Sequence, residues 1–146
     1  MASFTNLLKN AVQTAIGNDS DLSGSVKGYF FTKQPSNPGK PYIRWETYGG
    51  PISFAFGSAC KASTAEFFIS FHIFSAGSDA APGASTEAET IQDYLHTVFD
   101  GGQLSLAGFR AITLLRDGLD DSVYEEKTDL WHTVVRYKGR ANPSPI

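Results

Sequence analysis

The stretch that decides the fold is Ala65–Ser75, AEFFISFHIFS. Phe67, Ile69, Phe71 and Ile73 alternate with Phe68, Ser70, His72 and Phe74, the period-two pattern of a strand. The first set is a core face. The second is amphipathic, which fits a central strand whose other face meets partial solvent or another subunit. A small-residue loop, Ala76–Ser85 (AGSDAAPGAS), follows and leads into Thr86–Phe99, TEAETIQDYLHTVF. Here Ala88, Ile91, Leu95, Val98 and Phe99 form one stripe of a 3.6-residue helix, with Asp93 and Asp100 outside it. Thr86 and Glu89 have capping-box spacing, and Gly101-Gly102 stops the helix. Leu130–Lys138, LWHTVVRYK, reads as the closing strand.

Working outward, Phe4, Leu7, Leu8, Ala11, Val12, Ala15 and Ile16 lie on one stripe of an opening helix, capped by Ser3 and ended by Gly17. So short a helix is marginal alone and must dock on a sheet. Asn18–Gly24 reads as a turn-rich connection and Ser25–Thr32 as a first strand. Three prolines and a glycine in Gln34–Pro41 break regular structure. Tyr42–Tyr48 alternates Ile43, Trp45 and Thr47 against Arg44 and Glu46, a half-buried strand with charges on its wet side. Gly49-Gly50-Pro51 reads as a turn into Ile52–Ala59, where Phe54 and Phe56 either cover the core edge or reach a neighbour. Phe109–Arg116 alternates as another strand. Asp117–Asp129 is an acidic connection, six of its thirteen residues Asp or Glu, directed at water or at a basic partner. The predicted architecture is α+β: a mainly antiparallel sheet of four to five strands with two helices packed on one face. It is one domain over residues 1–146, with a patternless mobile tail from about 139.

Length and composition agree with one domain: 146 residues, 41% hydrophobic and 18% charged. No apolar run approaches the ~20 residues of a membrane span, so no membrane partner is expected. The N-terminal segment lacks the uninterrupted apolar core of a secretory signal, which predicts synthesis in a cytoplasm. The single cysteine, Cys60, excludes a disulfide framework and reads as a reduced thiol. A formal charge of −3 has the wrong sign for a phosphate-neutralising protein. Arg136, Lys138 and Arg140 form a short basic patch that reads as a solvated strand end rather than a specific nucleic-acid site.

Motifs for chemistry are missing. There is no GxSxG, no phosphate-binding glycine loop, no GxGxxG and no histidine pair at metal-ligand spacing. Asp120-Asp121 and Glu125-Glu126 are adjacent on a loop, which does not fix a glycosidase carboxylate separation. His72 reads as a sheet histidine, His96 as a solvated helix-edge residue and His132 as packed beside Leu130 and Val134. No catalytic, metal-binding or cofactor-binding residue is assigned, and no cofactor is expected.

Four features together resemble the tail-completion or tail-terminator (head-tail joining) proteins of long-tailed bacteriophages. The opening helix ends at Ala15-Ile16-Gly17. The proline-rich loop runs into an aromatic strand, Pro38–Trp45 (PGKPYIRW). FFISFHIF is followed by a small-residue loop and a helix ending in Asp93–Asp100 (DYLHTVFD). An acidic loop, Val123–Asp129 (VYEEKTD), leads into Leu130–Val135 (LWHTVV). The likeness spans about residues 4–138; the long aromatic segment Ile52–Thr64 and the C-terminal tail depart from it.

The resemblance implies a virion protein of the tail-neck junction, made in the host bacterial cytoplasm. It implies a ring of identical subunits, six in the usual case, that caps the tail tube, ends elongation and offers a docking surface to the head connector. The partners implied are other copies of itself, the tail tube protein and a head-side connector or stopper, with DNA free to pass through the ring. The interface residues this suggests are Tyr42, Arg44, Glu46, Phe54, Phe56, Glu125, Glu126 and Arg136. Two alternatives stand beside it: a head-side adaptor or stopper of the neck, and a small α+β enzyme or ligand-binding domain with a pocket between helices and sheet around His72 and His132.

Overall fold

In the computed structural model, which describes residues 4–54, 62–76, 83–110 and 112–142, the alternating stretch lies inside β3 (Ala62–Ala76), the middle strand of the main sheet. Its neighbours are β2 (Tyr42–Phe54) and β8 (Leu130–Ala141), both antiparallel to it, with Trp45 opposite Phe71 and Phe71 opposite Val135. The short β1 (Tyr29–Phe31) adds to β2 in parallel and forms one edge. At the other edge, β6 (Leu115–Arg116) and β7 (Asp121–Glu125) both pair with β8. A two-stranded sheet of β4 (Gln103–Leu104) and β5 (Ile112–Thr113) stands apart. The α+β class holds, with six strands in the main sheet rather than four to five and one parallel pair.

The core is built as the alternation requires. Phe67, Ile69, Phe71 and Ile73 are at most 2% exposed. Against them lie α1 (Phe4–Asn18), burying Leu8, Val12 and Ile16, and α3 (Gly83–Phe99), burying Ala88, Ile91, Leu95 and Phe99. Aromatic contacts fix both helices to this one face: Phe4 edge-on to Phe67 with centroids 5.6 Å apart, and Phe99 tilted against Phe71 at 4.7 Å.

Several expectations change. Asn18–Gly24 is not a simple turn, because Asp19 caps a third helix, α2 (Ser20–Ser25), its carboxylate accepting the Leu22 amide at 2.8 Å while Leu22 is fully buried. Gly49-Gly50-Pro51 does not turn the chain; β2 runs through it with a register shift between Gly49 and Ile52. Helix α3 begins at Gly83, so Thr86 lies inside it and is no cap. The extended segment after Phe109 is shared between two sheets, Leu114 pointing into the core between β5 and β6 while Leu115 is exposed. The acidic connection is partly a strand: β7 forms a hairpin with β8, closed by residues 126–129. Asp120 is also tied down, its Oδ2 taking hydrogen bonds from Gln92 and, at 2.7 Å, His96 of α3. His96 is therefore paired rather than simply solvated. Strand β8 continues to Ala141, opposite Ala65, three residues into the segment read as a tail.

Candidate functional site

Because strand side chains alternate, burying one face against the helices sends the even-numbered residues of β2 from Tyr42 to Tyr48, of β3 from Glu66 to Phe74 and of β8 to the other face. The registers then set Tyr42 beside Phe74 and His132, Arg44 beside His72 and Val134, and Glu46 beside Ser70 and Arg136. The hairpin partner β7 sets Glu125 across from Leu130 and Val123 across from His132. Among the described residues, α1, α2 and α3 bury their side chains in the core on the opposite face.

Its centre is an aromatic stack. Tyr42 and Phe74 lie with centroids 4.9 Å apart and an interplanar angle of 20°, and Phe74 stacks in turn on the His132 ring at 4.4 Å. The Arg44 guanidinium sits 5.3 Å from the Phe74 centroid, a cation–π contact, and donates through Nη1 to Gln34 Oε1 at 3.3 Å. That bond holds the proline-rich loop to the rim of the stack. With Leu130 and Phe30, Tyr42 and Phe74 make a small apolar cluster separate from the main core.

Around the stack runs a row of ionisable groups. Glu125 Oε1 lies 2.9 Å from His132 Nδ1, His132 Nε2 lies 2.8 Å from His72 Nδ1, and His72 Nε2 faces Glu46 Oε2 at 3.9 Å. Only one proton can occupy the space between the two imidazoles. Burial pushes His72 down to about 4, helped by the charges of His132 and Arg44 and opposed by Glu46, so His72 is neutral at neutral pH. The hydrogen bond from His132 holds the Glu125 carboxyl below the usual carboxylate range. Burial, against the pull of Arg44, raises the Tyr42 phenol. Tyr48 donates to Glu46, which raises the Tyr48 phenol. Arg136 Nη1 pairs with Asp121 at 3.0 Å across β7 and β8.

Of the residues singled out in the sequence, Tyr42, Arg44, Glu46, Glu125 and Arg136 thus share one face, although they come from three strands. Glu126 is exposed in the hairpin turn beyond it. Phe54 is the last residue of β2, and Phe56 lies outside the described residues, as does Cys60. Sequence reasoning missed the pairing of His72 with His132, and the pocket between helices and sheet that the enzyme alternative placed around them is corrected: both imidazoles are on the opposite face. It also missed Asp100, whose carboxylate at the end of α3 accepts from the Tyr137 hydroxyl at 2.7 Å and from Arg116.

Chemically, the Glu125–His132–His72 row can hold and share a proton. Among the described hydrogen bonds, neither imidazole is joined to a serine or threonine hydroxyl. No group of three His, Cys, Asp or Glu side chains suited to a metal ion occurs among the described residues. No described helix is long and apolar enough to cross a membrane.

No family model matches the chain, and no curated protein matches it. Solved structures do. A chain described as belonging to the virion of a native gene transfer agent particle superposes with a TM-score of 0.70 at 16% identity, covering 97% of this chain and 99% of that one. A second solved chain gives the same TM-score at 11% identity, with 99% and 100% covered. At such identities the likeness establishes the fold, over nearly the whole of each matched chain.

Proposed function

We propose that this chain is a structural virion protein that closes the tail tube as an oligomeric ring, ends its elongation and presents a docking surface to the head connector. The observation that carries this reading is the end-to-end sharing of a fold with a chain of a gene transfer agent virion. The sheet face adds support. Stacked aromatics flanked by alternating charges form a surface with an apolar centre and a polar rim, the anatomy of a protein interface. Tyr42, Arg44, Glu46, Glu125 and Arg136 contribute to subunit or tube contacts from this face, Glu126 from the adjoining turn, Phe54 from the end of β2 and Phe56 from the sequence just after it. Location at the tail-neck junction and the tail tube and connector partners belong to the same proposal.

Electron microscopy of particles assembled without the protein tests it. Tails of uncontrolled length are expected. Full heads without tails would instead make the protein a head-side adaptor, and normal particles would remove it from assembly altogether.

A further inference from the structure

We propose that copies of this chain join head to tail through opposite edges of the main sheet, the lysine-bearing β1 edge of one copy meeting the acidic β7 edge of the next. The contact rests on the ring reading and specifies the two surfaces that build it. Among the described residues β1 pairs only with β2, and β7 only with β8, so the sheet ends at both. The two ends carry opposite charge. Residues 26–41, which contain β1 and its flanks, hold Lys27, Lys33 and Lys40 and no acid. All three are exposed, and Lys9 of α1 joins them over the Phe31 ring at 5.6 Å. None of these four lysines is in an ion pair among the described residues. At the far edge, residues 121–129 hold Asp121, Glu125, Glu126 and Asp129 against Lys127 alone.

The acidic edge is also where the apolar surface is left open. Val123 of β7 is 58% exposed, and Leu119, two residues before the strand, is 88% exposed. Apolar side chains rimmed by one charge fit a surface rimmed by the opposite charge. A second copy of this chain supplies that surface at its β1 edge. Like edges repel, so two copies cannot pair symmetrically through either one. Unlike edges attract, which selects the heterologous contact that a closed ring requires.

Charge exchange tests the contact with the full chain. K27E/K33E/K40E makes both edges acidic, and D121K/E126K makes both basic. Wild-type chain at its highest soluble concentration is expected to show an oligomer by light scattering, and each variant alone to lose it. Mixed one to one, the variants regain it as an alternating ring, and the chain carrying all five reversals regains it unmixed. Zero-length carbodiimide cross-linking of the wild type is expected to join Lys33 or Lys40 of one copy to Asp121 or Glu126 of another. A wild-type oligomer that survives in both variants, or whose cross-links avoid these pairs, overturns the edge contact and leaves the ring reading standing. Wild-type chain that never associates overturns both.

Discussion

His72 Nδ1 lies 2.8 Å from His132 Nε2, two imidazoles on neighbouring strands sharing one proton position on the face away from the helices. They are not directly opposite, since His72 faces Val134 and His132 faces Phe74. The contact is the diagonal one that a twisted antiparallel pair brings within reach of long side chains.

This placement predicts acid sensitivity with a definite sign. The unfolded chain protonates His72 near its ordinary value of 6.5, whereas burial and the neighbouring positive groups hold it to about 4 in the fold. The group's contribution is complete above pH 6.5 and disappears as pH falls from 6.5 to 4, by about 3 kcal/mol at most. The depressed Glu125 carboxyl acts in the same direction, losing its contribution as pH falls through its folded value. Urea midpoints measured across that window should drop for the wild type and drop less for His72→Gln. Parallel profiles would show that His72 does not carry the effect.

A second prediction concerns the tie between α3 and the sheet edge. The Asp100 carboxyl is held below its usual range by hydrogen bonds from Arg116 and from Tyr137, whose ring is fully buried. Tyr137→Phe should cost about 1–2 kcal/mol, leaving Arg116 in place. Asp100→Asn should cost a similar amount or more, because it loses the charge that both donors address. Since the groups act together, the double variant should cost less than the sum in urea denaturation. Strict additivity would mean that the Tyr137 hydroxyl and Asp100 are independent.

The strong alternation of Phe67, Ile69, Phe71 and Ile73 and the stripe from Ala88 to Phe99 were enough to read the central strand, the long helix and the side on which they meet, because each periodicity is set by burial of one face. Shorter elements lacked that signal. Helix α2 has six residues, and its evidence is a single cap, Asp19, beside one buried leucine. Strand β7 was hidden by the acids that solvate an edge, with Val123-Tyr124 the only β-forming pair inside it. Gathering Tyr42, Arg44, Glu46 and Arg136 on one face followed from parity alone. The His72–His132 contact did not, because 60 residues separate the two and only the strand register decides it.

The interface reading makes a prediction about assembly that leaves the subunit intact. Phe54 ends β2, and Phe56 follows it two residues later in the sequence. Aromatics at the centre of an interface supply much of its binding energy, and truncating one costs ~2 kcal/mol or more. Phe54→Ser with Phe56→Ser should therefore weaken the ring by at least about tenfold while circular dichroism and the melting point of the subunit stay near wild type. An unchanged ring on size exclusion with light scattering would remove this pair from the contact.

The pairing of β3 with β8 contains a position that tolerates no side chain. Gly139 faces Phe67, and a methyl group added to it would lie 2.4 Å from Phe67 Cζ and 3.1 Å from Leu114 Cδ2. The Phe67 ring is 2% exposed and is pinned on its other side by Phe4, so it cannot swing away freely. Gly139→Ala should therefore destabilise the fold by about 1–3 kcal/mol, the usual cost of overpacking a filled core. Phe67→Leu alone should also destabilise, by emptying the space above the glycine. Combined, the smaller side chain makes room for the methyl group, and the double variant should be more stable than the sum of the two losses predicts. Thermal melts of the four chains measure this coupling, and a double variant at or below the additive value would mean that the ring and the glycine do not share that space.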